Sequence, residues 1–377
     1  MMQIIGIGLI AFVLLVLQKA IYEKLWNRDL TAAISFGVPS IYEGQSGTLK
    51  EVIENRKRLP LPMLKVKFQT DRHLMFEDSK GSRTTDQYYR NDVFQVNGGE
   101  KIVRTLRFTA GRRGYYTIKT MDIVSTDLFM TSLYAAERQI SASLYVYPKI
   151  FDSSEFKRML QQLNGEVLTK RHVLEDPFEH RGIREYQPTD ELKTINWKAT
   201  ARTGELKVNQ KDYTALHSVR IFLNLEDKGI LKKEAAVEFA FQIAAGLCAY
   251  FLQQGIRVSC YGNGVDIVNG QPVSVEASSS RSQLENVLRA LARVDTAKDT
   301  VDFDTYFGKR VLEEAKGTIN CFISPNAPAD FVELLEECRK RGMDFVWFYP
   351  VMDNTTEPVI PDTLQKYIKI VHWKGTT

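Results

Sequence analysis

The chain lacks the local signatures that announce most enzymes. No Walker A loop, no GxSxG elbow, no HExxH helix and no GxGxxG after a strand occurs in its 377 residues. Its four cysteines, Cys248, Cys260, Cys321 and Cys338, are far apart, form no CxxC and sit in apolar stretches. That spacing argues against zinc and for buried free thiols in a reducing compartment. Histidine is scarce, five in all; His172 and His180 lie in a polar connector with no third ligand placed near them, so solvated side chains are expected there. Neither sign of charge dominates. Fifty Lys and Arg against 46 Asp and Glu give +4, too balanced to imply an anionic partner, and no nucleic-acid partner is expected. Low-complexity tracts and internal repeats are also absent.

What is present is ordinary globular composition, 44% hydrophobic and 25% charged, in a chain longer than one core usually supports. Two soluble domains with appendages are therefore expected. The first 18 residues carry no charge and predict a helix of roughly 27 Å, nearly a bilayer crossing, which Ala20, Ile21 and Tyr22 extend toward Trp26. A cleaved signal peptide is the competing reading, but neither a basic leader nor a small-x-small cleavage site is there. An uncleaved, single-pass anchor in the cell membrane is expected over residues 1–29. Lys19, Lys24 and Arg28 follow the span and place the soluble bulk in the cytoplasm.

From 30 to 149 the pattern changes to short alternating strands, at 33–36, 48–54, 64–69, 101–109, 115–123 and 143–147, with turns at Asn97-Gly98-Gly99 and 111–114. This predicts an immunoglobulin-like β-sandwich, a fold that is more often a spacer or docking surface than a catalyst. The Arg56-Lys57-Arg58 corner suits lipid head groups or, more simply, a solvated turn. Residues 150–213 form a connector, beginning with a helix at 154–163. From 214 to 377 strands at 218–225, 257–261, 271–276, 316–324, 343–349 and 367–373 alternate with helices at 232–254, 281–293 and 328–341. That alternation predicts a doubly wound α/β domain with ligand space at the strand carboxyl ends. The helix at 232–254 is apolar enough for a second span, but Glu238 and Gln242 near its middle favour a core helix. Gly262-Asn263-Gly264 reads as a turn rather than a phosphate cradle.

The stretch 181–212 is the most distinctive. It holds no long apolar run, and seven Lys/Arg stand among five Asp/Glu, so the segment is expected to tie itself down through its own charges, with Arg184–Glu185 and Asp190–Lys193 as pairs. Its Arg184, Tyr186, Pro188, Asp190, Ile195, Trp197, Lys198, Ala201, Arg202 and Gly204 resemble the signature of the bacterial "domain of unknown function 58" family. Thr189 replaces a usual Gly, and Asn196 a usual Asp. A second patch, GRRGYYTIKTMDIVSTDLF at 111–129, followed by the VYP of 146–148, agrees with it. The resemblance implies that the α/β domain is von Willebrand factor A-like. It also implies a MoxR-type AAA+ ATPase as partner, often with a transglutaminase-like membrane protein, in envelope or stress systems. Relatives usually carry two membrane helices near the start, where this chain shows one.

The metal site of that fold needs Asp-x-Ser-x-Ser after the first strand. Here Asn224, Glu226 and Lys228 stand at those positions, and 323–326 lacks the later Asp, so no metal and no cofactor are expected. Glu226 and Asp227 fit solvated loop carboxylates better than a different ion site. Two functions follow. The first is a membrane-anchored, non-enzymatic scaffold or adaptor whose contact face uses Arg181, Arg184, Glu185, Tyr186, Pro188, Asp190, Asn196, Trp197, Lys198 and Arg202. The alternative is an enzyme of unknown chemistry built on Glu185, Asp190 and Lys198.

Overall fold

The computed structural model describes residues 2–78, 81–85, 87–172, 180–187, 192, 195–211, 218–227, 233–313, 317–352 and 360–373. The chain divides into two compact units, 1–149 and 150–377.

The first unit begins with helix α1 (Met2–Leu25), whose Gln3–Leu25 portion has an apolar 18-residue window of mean hydropathy 2.5 in which nothing is buried. The helix is long and apolar enough to cross a membrane; Tyr22, nearer its end, is buried. Among the described residues ten strands follow: β1 (Leu30–Phe36), β2 (Ser40–Tyr42), β3 (Ser46–Asn55), β4 (Leu61–Asp71), β5 (Leu74–Phe76), β6 (Ser82–Thr84), β7 (Gln87–Val96), β8 (Lys101–Ala110), β9 (Gly114–Thr126) and β10 (Leu133–Tyr147). They form two sheets, ordered β1-β3-β8-β5 and β2-β10-β9-β4-β7-β6. Pairing is antiparallel except between β2 and β10. Alternation decides the faces: Leu49, Ile53, Leu64, Val66, Leu106, Phe108, Ile118 and Ile123 point inward and are buried together. The expected β-sandwich is therefore present. The base of α1 belongs to the same core, because Tyr22 and Trp26 are buried in it.

Sequence reading missed β7. Its inward positions, Tyr88, Arg90, Asp92, Phe94 and Val96, keep strict alternation, but two of them are charged. Arg90 and Asp92 are buried and joined by an Nε–Oδ2 bond of 2.5 Å, and Arg104 reaches Asp92 at 2.7 Å and Asp78 at 3.0 Å. Two guanidiniums thus balance two aspartates. Glu51 of β3, directly opposite Arg104 on β8, is the surplus carboxyl and is 1% exposed. Burial, reinforced by Asp92, pushes it up to about 8.

The second unit holds α2 (Ser154–His172), β11 (His180–Glu185), α3 (Trp197–Thr203) and β12 (Lys207–Lys211). These precede β13 (Ser218–Leu223), α4 (Glu234–Gln253), β14 (Arg257–Val265), β15 (Pro272–Ser278), α5 (Gln283–Ala292) and α6 (Phe303–Leu312). Then come β16 (Thr318–Ile323), α7 (Ala329–Lys340), β17 (Phe345–Val351) and β18 (Ile368–His372). Its main sheet runs β15-β14-β13-β16-β17-β18, parallel except for the β14–β15 hairpin. Gly270, at φ +70, turns that hairpin where Asn269-Gly270 predicts it. Both faces are covered, which is why the strands read as apolar runs. Val219, Ile221 and Leu223 pack with α4 and α5, while Phe222 on the opposite face packs with Phe303 and Phe307 of α6 and Leu335 of α7. Helix α4 passes the length and hydropathy test for a membrane span, yet its window is 72% buried in this core. All four cysteines are buried and free; burial pushes the Cys260 thiol up to about 12.

Candidate functional site

The residues expected to matter fall into two places in the second unit. The first is a small structure made by the charged stretch. Strands β11 and β12 pair antiparallel with Arg184 opposite Val208 and Glu185 opposite Lys207. Ile195 bridges to Val208, and these two buried side chains are its apolar anchor. Asn196 then starts α3: its Oδ1 accepts from the Ala199 N–H at 2.9 Å, while its own N–H donates to the Lys207 carbonyl at 2.7 Å. Gly204 ends the helix at φ +73, in the left-handed region, donating its N–H to Thr200. An Asp at 196 would cap equally well, so the Asn keeps the local structure of the family signature.

Charge pairing within the stretch differs from expectation. Arg184 donates from Nη1 to the backbone carbonyl of Glu185 at 2.9 Å. The Glu185 carboxylate instead meets Lys207 across the hairpin at 3.3 Å, and Glu205 meets the same lysine at 3.2 Å. Register explains this: neighbours in a strand point to opposite faces, whereas cross-strand partners share one. Glu205 first, then Glu185, hold the Lys207 ammonium above its ordinary range. Pro188, Asp190 and Lys193 lie outside the described residues, as do the side chains of Arg181, His172 and His180.

No residue of α3 is buried. Trp197 is 68% exposed, with Lys198 and Arg202 exposed on the same helix, and Ile183, Leu192 and Leu206 of this small structure are also exposed. Tyr186 is half-buried, its N–H bonded to the Leu206 carbonyl.

The second place is the carboxyl edge of the parallel sheet. From β13 the chain crosses to β14 on one side, and it later enters β16 on the other, so a crevice opens beyond Leu223 and Ile323. Amides fill it. Asn224, fully buried, accepts at Oδ1 from Asn263 Nδ2 at 2.9 Å and from the Glu226 N–H at 3.0 Å. Asn263 Oδ1 accepts from the Leu225 N–H at 2.8 Å, and its Nδ2 also donates to the Val301 carbonyl at 3.1 Å. Asn326 Nδ2 donates to the Glu226 carbonyl at 3.0 Å, and Ser324 Oγ donates to the Asn326 carbonyl at 2.6 Å. The Asn224 Nδ2 has no acceptor among the described residues. Both Oδ1 lone pairs of Asn224 are thus spent on N–H donors. Asp227 Oδ2 accepts from the Lys233 N–H just before α4; Lys228 lies outside the described residues.

Asn263 was missed as a site residue because 262–264 reads as a turn. It is instead the interior of β14. The glycines permit close approach rather than reversal: a Cβ on Gly264 would stand 2.5 Å from Val294 Cγ1 and 2.8 Å from Leu225 Cδ1. Beside the amides is a cleft of about 80 Å³, floored by Leu225, Val237 and Val294 and rimmed by Asp227, Lys233 and Asp299. Glu185 and Lys198 do not line it. Among the described residues no three His, Cys, Asp or Glu side chains cluster as metal ligands.

Residues 182–344, which span both places, match the family described as "Protein of unknown function DUF58". That region of the chain belongs to this family. None of the curated proteins compared matches it. Among solved structures, the chain is similar to a non-cellulosomal cohesin from Archaeoglobus fulgidus, at 14% identity over 34% of this chain and 97% of that one, with a TM-score of 0.23. A CARDB domain from Pyrococcus furiosus in complex with di-metal ions is 18% identical over 31% and 85% of the two chains, with a TM-score of 0.21. A type I cohesin–dockerin complex from Clostridium thermocellum is 7% identical over 31% and 99%, with a TM-score of 0.23.

Proposed function

We propose that this chain is a membrane-anchored adaptor without chemistry of its own, which docks a MoxR-type AAA+ ATPase through the surface around α3. The observation that carries the reading is the exposure of Trp197 on a helix with no buried face, flanked by Lys198 and Arg202. Indole and guanidinium groups dominate the energetics of protein interfaces, and an unburied indole contributes little to the fold that displays it. Capping by Asn196 and Gly204 gives this surface a fixed shape before any partner arrives.

The α/β unit is, on this reading, von Willebrand factor A-like, with an amide network where relatives hold a divalent ion. Asn224 offers a neutral oxygen already engaged by two donors, so grip on a partner rests on shape and paired charge rather than a shared metal. Helix α1 anchors the chain. Lys19, Lys24 and Arg28 just after its apolar stretch favour the cytoplasmic side for both units.

The test is co-purification of the detergent-solubilised full chain with a MoxR-type AAA+ ATPase co-expressed with it. Changing Arg184, Trp197 and Arg202 together to Ala should abolish co-purification while leaving the melting profile in place. Undiminished co-purification by that folded variant would remove the proposed docking face.

A further inference from the structure

The hairpin between β9 and β10 ends in Asp127-Leu128-Phe129-Met130-Thr131-Ser132-Leu133, and its four large apolar side chains are exposed by 49%, 58%, 59% and 70% in chain order. Nothing in the sandwich requires this. Its core is closed without them, and such a run at a loop tip is a liability in water.

The polar atoms of the same tip face inward. Asp127 is fully buried and accepts from the Thr131 N–H at 2.6 Å, the Thr131 hydroxyl and the Ser132 N–H. The Met130 N–H donates to the Asp127 carbonyl, and the Asp127 N–H to the Ser132 carbonyl. Met130 is held at φ +56, a left-handed conformation that a non-glycine residue adopts only under constraint. The tip therefore shows hydrocarbon outward while the N–H groups of Asp127, Met130, Thr131 and Ser132 are bonded within it, which lowers the cost of entering a lipid interface.

Position identifies what it meets. Gln18 Nε2 of α1 donates to Asp127 Oδ2 at 2.9 Å, and the Tyr134 hydroxyl donates to the Lys19 carbonyl at 3.3 Å. Gln18 ends the uncharged run of α1. The next contact along the helix, Tyr22 with the Pro60 carbonyl, is one turn further down, about 6 Å. The tip is thus held beside α1 at the level where its exposed apolar surface gives way to Lys19, Glu23 and Lys24. There Tyr22, Trp26 and Tyr134 gather, with the Trp26 and Tyr134 rings stacked at 6.1 Å. Aromatic residues collect at this depth of a bilayer, and the head-group layer there spans several residues of helix rise. The apolar tip is continuous with the lipid-facing surface of the anchor.

We propose that the 127–133 tip inserts into the head-group and upper acyl region of the phospholipid bilayer, as a second contact that fixes the orientation of the sandwich on its anchor. This rests on the reading of α1 as a membrane anchor. One helix alone leaves rotation and tilt to the lipid, whereas a second apolar contact on the same rigid unit defines a plane. The Asp127–Gln18 bond ties the two contacts together and removes the cost of leaving the Gln18 amide donor unpaired in that layer.

The test uses the full chain in phosphatidylcholine/phosphatidylglycerol nanodiscs, with an environment-sensitive fluorophore on one introduced cysteine. The positions are Phe129→Cys for the tip, Leu9→Cys for the helix and Met75→Cys for the opposite end of the sandwich. Met75 pairs with Thr109, which faces Ser46, and from Ser46 to Asn55 β3 runs roughly 30 Å. Nitroxide-labelled lipids should cut Phe129→Cys emission by about twofold or more, comparably to Leu9→Cys, and leave Met75→Cys unchanged. Quenching of the helix probe without the tip probe would overturn the inference and leave the anchor standing. If neither is quenched, anchor and insertion both fall. A tip label shielded from aqueous iodide but untouched by lipid nitroxides would mark a protein contact and equally overturn the inference.

Discussion

Glu51→Gln isolates the consequence of the surplus carboxyl in the sandwich core. With Arg90 and Arg104 matched by Asp92 and Asp78, Glu51 has no further cation paired with it among the described residues, and burial pushes its carboxyl up to about 8. In the unfolded chain the same group releases its proton near 4.5. Between those two values the folded state binds more protons, so stability falls as pH rises from about 4.5 to about 8 and then levels off. A tenfold change in proton affinity is worth about 1.4 kcal/mol, so the full effect is on the order of 5 kcal/mol. For a unit of this size that corresponds to roughly 10 °C in the sandwich melting transition. Glutamine keeps the shape of the protonated acid and cannot ionise. The variant should melt with wild type near pH 5 and lie progressively above it toward pH 9, as followed by scanning calorimetry in detergent. Parallel curves for the two proteins, or a wild-type stability that rises between pH 5 and 8, would refute the charge count.

Three further outcomes are expected. Asn196→Ala should cost about 1 kcal/mol, seen as faster amide exchange across α3, while Asn196→Asp should restore it because either side chain caps the helix. Asn263→Ala should destabilise the α/β unit by about 3 kcal/mol or more, measured by urea unfolding, since it strands the Leu225 N–H, the Val301 carbonyl and Asn224 together in a buried crevice. Micromolar Mg²⁺ or Mn²⁺ should leave the melting temperature of that unit unchanged, because Asn224 offers no anionic oxygen; a clear rise would require a different set of ligands.

Much of the architecture was legible because burial writes itself into periodicity. The strands β13, β16 and β17 are covered on both faces and read as unbroken apolar runs, and β3, β4, β8 and β9 alternate visibly. What escaped was whatever departs from that code. β7 hides because its inward Arg90 and Asp92 neutralise each other, a compensation that only the fold brings together. The glycines around Asn263 suggested a turn, since sequence does not reveal the close approach of Val294 to Gly264. In the signature stretch, the residues were identifiable and their pairing was not. Glu185 and Lys207 stand 22 positions apart and meet only through hairpin register. The exposure of the tip at 128–133 was not legible either: Leu128 and Phe129 close the second patch of the resemblance, which says nothing of their burial.

The most direct measurement of the proposed function is site-specific photo-crosslinking from position 197 in native membranes. A photoreactive amino acid replacing Trp197 should yield one dominant adduct with a MoxR-type AAA+ ATPase subunit, lost when Arg184 and Arg202 are also changed. Absence of that adduct, from a folded protein that still co-purifies with the ATPase, would place the docking surface elsewhere and contradict the assignment of α3.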